Sequence, residues 1–310
     1  MASILPVDLP NLFLAELKKQ DREPDGKLHA SSDLSQPLRY VQLRAAGAPQ
    51  TQRSIASSIR LLHGTLWHEW FHSALLKSGI KFRYEEKLDD YMPPGWSGTA
   101  DWIFWHPSYE AWVLGDLKTT KGEAIHWITK DGAKDEHIWQ LSAYWHALAA
   151  KGEPLVEGFG IMYWPMNDTR ETVEILPTVQ DVVPLPAIDV YSRMQERSYA
   201  VDEYLRYRKE GEYLTDWLAE MPPREQKLIW NKEQNGFDVK LVPLWYEAYC
   251  DFDETLCPQR GSEKIGHYTL EGEYVPRKDR EDIEPTVAPT EVQFRYRRKE
   301  KDERSDEGAS

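Results

Sequence analysis

Apolar and polar residues alternate along the first two thirds of the chain in patterns typical of helices and strands. The pattern predicts helices at 30–45, 54–78, 136–150 and 186–213, and strands at 81–88, 97–105, 111–120, 156–164 and 171–176. Strands show a period of two residues, and helices show spacings of three and four. The order of these elements favours an α/β sandwich with a mixed sheet, and no glycine-rich phosphate loop is present in the sequence.

The predicted elements leave four regions with different properties. Residues 1–28 are predicted to be an irregular leader and 29–213 the core. Residues 214–268 contain Trp and Tyr without clear periodicity, so we expect an addition that packs on the core. From 269 to 310 the chain has dense mixed charge and few apolar residues, which predicts a disordered tail. Within the core, 121–134 are predicted to be irregular.

Composition limits the classes of protein. The chain has 310 residues, 29% of them charged, and no apolar run long enough for a membrane helix, which predicts a soluble protein without membrane association. Two cysteines and no secretory signal favour a reducing compartment, the cytoplasm of a bacterium or of a virus-infected host cell. The formal charge of −14 argues against a protein that coats nucleic acid, but it is compatible with divalent cation binding.

The strand at 111–120 carries the first candidate chemistry. It is apolar until Asp116, and Lys118 follows two residues later. Side chains two apart on a strand share a face, so Asp116 and Lys118 project together while Leu117 points into the opposite layer. Because isolated charges are costly to bury, this pair is either an ion pair at a strand end or part of a metal-dependent hydrolytic site.

The helix at 54–78 contains a second candidate site. Its apolar residues Ile55, Ile59, Leu62, Leu66 and Trp70 are three and four positions apart, as on one face of a helix.

The same helix carries His68-Glu-Trp-Phe-His72, which matches the H-E-x-x-H pattern of zinc peptidases, with Glu69 as general base. The extended peptidase pattern fails, because Leu75 and Ser78 stand where a glycine and a third histidine are required. Two histidines on a partly polar helix face explain the segment equally well.

Four short motifs occur in an order that favours a different site. They are Gly64-x-x-x-His68, Gly98-Thr-Ala-Asp101, Asp116-Leu-Lys118 and Gln140-x-x-x-Tyr144. With these motifs the chain resembles the RecB-like branch of the PD-(D/E)XK nuclease superfamily, from about residue 30 to 165 and again near 245–257. The resemblance implies a restriction-endonuclease-like core and a Mg²⁺- or Mn²⁺-dependent DNA nuclease, an exonuclease in recombination, repair or viral genome processing.

The resemblance also implies roles for individual residues. Phosphodiester hydrolysis needs a hard divalent cation, for which Asp101 and Asp116 supply carboxylates. One or two ions are expected, with the full set of implied ligands being His68, Asp101, Asp116 and the backbone carbonyl of Leu117. The catalytic residues are Asp101, Asp116 and Lys118, with Lys118 orienting the attacking water. Gln140 and Tyr144 are expected to position DNA or the metal ligands. Lys121, which follows the catalytic strand, is a further candidate for positioning DNA through a phosphate contact, with a solvated lysine as the alternative.

Three nearby residues are expected to lie outside this site. His137, three positions before Gln140, is predicted to be a surface residue. Glu85 and Glu86 are predicted to lie on a solvated strand edge, with a place in the metal cluster as the alternative for one of them.

Many relatives hold an iron–sulfur cluster with four cysteines. Here Gln36 and Glu247 stand at two of those positions, and Cys250 and Cys257 occupy the others. Two thiolates cannot hold such a cluster, so none is expected. Either the scaffold has lost its cluster, or the two cysteines are incidental.

Two other functions stay open beside the nuclease. One is a zinc peptidase acting through the 68–72 segment, and the other is a non-catalytic DNA-binding relative. DNA is the expected partner, and a recombination or replication protein is a candidate second one. The sequence leaves the oligomeric state open.

Overall fold

The computed structural model describes residues 25–49, 55–120, 122–165, 175–176, 187–209, 218–219, 225–242, 252, 262–269 and 271–290. The chain divides into two compact units, Met1–Ala219 and Glu220–Ser310. The architecture is α/β, with a mixed sheet flanked by helices in the first unit and an antiparallel sheet in the second. None of the described helices combines the length and apolar character that crossing a membrane requires.

The first unit contains seven strands and five helices among its described residues. The strands are β1 (Leu28–His29), β2 (Phe82–Lys87), β3 (Trp96–Ser97), β4 (Thr99–His106), β5 (Ala111–Thr120), β6 (Leu155–Pro165) and β7 (Ile175–Leu176). The helices are α1 (Leu38–Ala45), α2 (Ile55–Ser78), α3 (Gly122–Asp131), α4 (Asp135–Ala150) and α5 (Tyr191–Tyr207). A short 3₁₀ helix spans Asp89–Tyr91.

The central sheet has the strand order β2-β4-β5-β6-β7. Its first three strands are antiparallel, β5 and β6 are parallel, and β7 returns antiparallel to β6. Parallel neighbours require a crossover connection, which α3 and α4 provide here. The register sets Asp116 opposite Ile161 and Lys118 opposite Tyr163, so the candidate strand lies in the middle of the sheet.

Strand alternation separates two apolar layers, one on each face of the sheet. The larger layer includes Leu114, Ile161 and Tyr163 of the sheet together with Leu141 and Tyr144 of α4. The other contains Leu117 and Trp102, packed against residues of α2. Leu117 is 2% exposed, which confirms that it turns into the layer opposite Asp116 and Lys118.

The apolar residues of α2 that follow helical spacing are not the ones that cover the sheet. Ile59, Leu66 and Trp70 are 37, 50 and 54% exposed. The sheet is instead covered by Trp67, Phe71 and Leu75. Apolar residues occur around most of this helix, so spacing alone could not identify the side that packs on the sheet. The predicted end is confirmed, because Gly79 has a positive φ of 75° directly after Ser78.

Residues 121–134 are not irregular, because α3 occupies most of them. Ile125 and Ile128 are buried in the larger apolar layer, and these two contacts orient a helix of only ten residues. Such a short helix with two apolar anchors gives little periodicity to recognise in a sequence.

The second unit contains an antiparallel four-stranded sheet with the order β11-β10-β9-β8. Its strands are β8 (Glu225–Asn231), β9 (Gly236–Val242), β10 (Glu263–Tyr268) and β11 (Tyr274–Pro276). The predicted disorder is therefore wrong at 274–276, which pair with β10. The end of the tail, residues 291–310, lies outside the described residues.

Candidate active site

The candidate site lies where two strands of the central sheet separate. The ladder between β4 and β5 ends with Trp102 opposite Gly115, and β4 continues along β2 while β5 continues along β6. Asp101 and Asp116 are the first residues beyond that last pair. Their side chains are hydrogen-bonded to each other, so the two predicted carboxylates meet where β4 and β5 separate, a point that we call the fork.

The two aspartates share one proton. Burial and, to a smaller extent, the adjacent carboxylate of Asp116 together raise the pKa of Asp101 to about 9. Burial also disfavours the charged form of Asp116, but the Lys118 ammonium and the hydrogen bond from Asp101 outweigh it and lower the pKa to about 2. At neutral pH Asp101 is therefore the protonated donor and Asp116 the carboxylate, as expected for like groups that cannot both ionise.

Lys118 is held by an acid and an amide. Its Nζ lies 2.7 Å from Asp116 Oδ2 and donates a hydrogen bond of 2.9 Å to Gln140 Oε1. Gln140 in turn donates from Nε2 to the Tyr144 hydroxyl at 3.2 Å. Gln140 and Tyr144 are 7 and 3% exposed, so α4 presents them to the lysine from within the core.

Gly98 explains how α4 comes so close to the sheet. A Cβ at Gly98 would lie 2.6 Å from Cε1 of Tyr144 and 2.4 Å from Cε of Met92. Contacts under about 3 Å are not tolerated, so a side chain at this position would displace the tyrosine that supports Gln140.

His68 reaches the fork from the opposite face of the sheet. Its Nε2 lies 2.8 Å from the carbonyl oxygen of Leu117, and its Nδ1 lies 3.5 Å from Asp101 Oδ2. Burial lowers the pKa of His68, and the Leu117 carbonyl and Asp116 offset this only in part. The neutral ring donates Nε2–H to Leu117 and presents its Nδ1 lone pair towards Asp101.

The second histidine of the H-E-x-x-H segment has other surroundings. The ring of His72 lies 3.9 Å from the ring of Tyr84 and 5.6 Å from that of Phe82, measured between centroids. Glu69 is exposed. The structure thus brings His68 to the carboxylates and packs His72 among aromatic rings.

The two glutamates of β2 differ in their surroundings. Glu86 does not lie on a solvated edge, because its side chain is 15% exposed and pairs with Arg83 and Lys151. Glu85 has a left-handed φ of 49°, unusual for a residue within a strand. It contacts the hydroxyl of Tyr84, whose pKa burial and this glutamate raise to about 12.

Sequence reasoning underestimated His137 and missed Tyr163. His137 is not a surface residue: its side chain is 16% exposed, and its Nδ1 lies 2.7 Å from the hydroxyl of fully buried Tyr163. His137 and Gln140 are three residues apart on a helix, and this spacing indicated that His137 lies on the same face as Gln140. Tyr163 is the β6 neighbour of Lys118, which requires the register of a parallel pair and has no local signal.

Several predicted positions lie outside the described residues, namely Lys121, Glu247, Cys250 and Cys257. Within the part of the chain that is described, no group of three or more His, Cys, Asp or Glu side chains is arranged so that it could hold a metal ion. The predicted side-chain ligands His68, Asp101 and Asp116 lie close together at the fork, but they do not form such a group.

Comparison with known proteins gives little further information. No protein-family model matches the chain, and no curated protein matches it. A solved structure titled "Crystal structure of SSO0001" is similar, with a TM-score of 0.40 and 13% sequence identity. The match covers 65% of this chain and 88% of that chain.

Proposed function

We propose that this chain is a divalent-metal-dependent deoxyribonuclease related to the RecB-like branch of the PD-(D/E)XK superfamily. One observation carries the proposal. Three separate elements bring Asp101, Asp116, Lys118 and His68 together at the fork between β4 and β5. An ion pair needed only for stability does not require a second, partly buried acid beside it or a histidine on the other side.

The fold supports a restriction-endonuclease-like core for the first unit. A mixed sheet of five strands has apolar layers on both faces, with α2 on one side and α4 on the other. The proposed site lies on the central strand, where both helices reach it.

The chemical types of the donors at the fork, two carboxylates and an imidazole, suit a hard divalent cation. Asp101 and Asp116 are close enough to need a shared proton, and a cation that replaces that proton would relieve their repulsion. The Nδ1 of His68 and the carbonyl of Leu117, which has a second lone pair, complete a mainly oxygen donor set that suits Mg²⁺ or Mn²⁺. Bound there, the ion would neutralise charge on the scissile phosphate and lower the pKa of the attacking water.

Lys118 provides the positive charge that belongs to the protein itself. Asp116 and Gln140 fix its ammonium group from two directions, and Tyr144 fixes Gln140. A fixed ammonium can orient the attacking water and offset charge on the phosphate without reorganising during the reaction. Gln140 and Tyr144 act in this proposal by positioning Lys118.

The same resemblance assigns the finer function. It indicates an exonuclease that acts on DNA in recombination, repair or viral genome processing. The low cysteine content favours the cytoplasm. End-labelled single- and double-stranded DNA, incubated with Mg²⁺, Mn²⁺ or EDTA, tests the class of reaction, the metal and the polarity together. We expect cleavage with a divalent cation, none with EDTA, and none from Asp116→Asn.

The control for Asp116→Asn is Glu157→Gln, an exposed acid on β6. Full activity of Asp116→Asn would exclude the assignment. DNA binding without cleavage by the unmodified protein would favour the non-catalytic relative. Zinc-dependent peptide hydrolysis that disappears in His72→Ala would favour the peptidase.

A further inference from the structure

A pair of side chains beside Lys118 has no role in the mechanism described so far. His137 lies in the first turn of α4, one turn before Gln140, and Tyr163 lies on β6 directly beside Lys118 in the sheet. The centroids of their rings are 5.5 Å apart. Both lie within the electrostatic range of Asp116.

The hydrogen bonds of Tyr163 determine which nitrogen of His137 carries its proton. The Tyr163 hydroxyl accepts a hydrogen bond of 3.3 Å from the backbone N–H of Lys134. The same hydroxyl lies 2.7 Å from His137 Nδ1. Among the described residues, the Tyr163 hydroxyl makes only these two hydrogen bonds. A fully buried hydroxyl must place its one proton, so Tyr163 donates to Nδ1. The proton of the neutral imidazole is therefore on Nε2.

The charge state of His137 agrees with this arrangement. Burial and, to a smaller extent, the Lys118 ammonium lower the pKa of His137 to about 3, against the opposing effect of Asp116. The ring is neutral at physiological pH and adds no second positive charge beside the lysine. Its Nε2 lies 3.6 Å from Glu136 Oε1, which is too long for a hydrogen bond, and no other described residue accepts its proton.

We propose that His137 contributes to hydrolysis as a neutral hydrogen-bond donor, with Nε2–H held for an oxygen of the substrate phosphate and Tyr163 as its positioning residue. The proposal rests on the nuclease function and adds a donor to it. Negative charge on the phosphate oxygens is redistributed in the transition state, and a donor fixed beforehand stabilises it without a change of protonation. No proton is transferred, since neutral imidazole is a poor acid.

The first test compares cleavage rates of variants with the unmodified protein. His137→Leu removes the donor at similar volume, and we expect kcat to fall about 100-fold with KM little changed. His137→Gln places an amide N–H near the position of Nε2, and we expect it to recover about tenfold of that loss. If His137 were needed only for packing, the glutamine variant would not be more active than the leucine variant.

Tyr163→Phe keeps the ring and removes the hydroxyl. We expect kcat to fall about tenfold in the otherwise unmodified protein and not to fall further in a His137→Leu background. Nitrogen-15 NMR of His137 supplies a readout that does not depend on activity. The unmodified protein should show the Nε2–H tautomer, and Tyr163→Phe a mixture of both tautomers.

His146 is a matched control on the same helix. Its ring lies 5.3 Å from that of Tyr191, but its Nε2 pairs with the carbonyl of Ile188, away from the fork. His146→Leu should leave kcat unchanged. Unchanged kcat in His137→Leu, or an Nδ1–H tautomer in the unmodified protein, would overturn the role of His137 while leaving the nuclease intact. Absence of cleavage by the unmodified protein would overturn both proposals.

Discussion

Two clusters of charged side chains in the first unit use the same residue types with different results. One is the site at the end of β5, with Asp101, Asp116 and Lys118. The other, which we call the Arg83 cluster, lies near the start of β5 and β6. It consists of Arg83, Glu86, Lys151 and Glu153.

The Arg83 cluster is balanced in charge, with two positive and two negative groups. Arg83 makes two contacts to Glu153, at 2.5 and 2.6 Å, and Lys151 bridges Glu86 and Glu153 at 2.5 and 2.7 Å. Arg83 also lies over the ring of Trp112 at 4.3 Å. The hydrogen bond from Arg83 lowers the pKa of Glu153, so each charge stabilises the opposite one.

The site at the end of β5 is unbalanced. The buried Asp116 and the partly buried Asp101 face one lysine, and Asp101 has to keep its proton. Counting ion pairs would treat both clusters as stabilising, yet only in the Arg83 cluster does the number of positive groups equal the number of negative groups. The difference teaches that an unmatched acid, rather than the presence of an ion pair, distinguishes a candidate catalytic site.

The largest expected effect separates the two lysines. Lys118→Met should lower DNA cleavage about 1000-fold, since it removes the fixed charge beside the phosphate. Lys151→Met should leave cleavage unchanged because Lys151 belongs to the Arg83 cluster. Initial rates at saturating Mg²⁺ or Mn²⁺ measure both. Equal losses of cleavage in the two variants would contradict a specific role of Lys118 in cleavage.

The next effect concerns stability alone. Glu153→Gln leaves Arg83 and Lys151 without their shared carboxylate, and we expect the free energy of unfolding to fall by about 2 kcal/mol, less than for a fully buried pair. Cleavage should not change. Urea denaturation measures the loss, with exposed Glu157→Gln as the control. A stability equal to that of the control would show that the balanced cluster contributes nothing net.

The smallest effect has the opposite sign. The folded-state pKa of Asp101, about 9, lies above its unfolded value of about 3.9, so folding retains a proton that the unfolded chain releases. Stability from this group is therefore lost as pH rises from about 4 towards 9. Asp101→Asn keeps a donor to Asp116 without that penalty.

In metal-free buffer at pH 8 we expect Asp101→Asn to raise the free energy of unfolding by about 1 kcal/mol, and by less at pH 5. DNA cleavage should be lost. Denaturation at the two pH values measures the change. A variant less stable than the unmodified protein at pH 8 would mean that Asp101 is ionised and well satisfied in the folded state.

Sequence reasoning predicted the parts of the fold that are strongly periodic. The bounds of β5 match the prediction at both ends. The start of α4 and both ends of β6 differ from the prediction by one residue. It failed for α3, where two isoleucines are the only buried anchors described, and it did not identify the side of α2 that packs on the sheet. Both errors arise because tertiary contacts, not local pattern, decide which face packs.

Individual residues of the candidate site could be predicted only where they belong to one of the four short sequence motifs. Asp101, Asp116, Lys118, His68 and Gln140 do meet in the structure. His137 was misplaced at the surface because its partner Tyr163 comes from a distant strand. The protonation of Asp101 could not be predicted either, since it depends on the separation of β4 and β5 at one residue.

The fork between β4 and β5 also has a consequence for the order of folding. Asp101 and Asp116 belong to a hairpin closed by the short connection after His106, whereas Lys118 obtains Gln140 and Tyr163 only when the crossover through α3 and α4 has closed. Loop closure favours the hairpin first. We expect φ-values to be higher for Phe104→Leu than for Ile161→Val, and equal values would contradict this order. In the expected order, Asp101 and Asp116 come together early and repel each other. The contacts of Lys118 with Gln140 form later and complete the site.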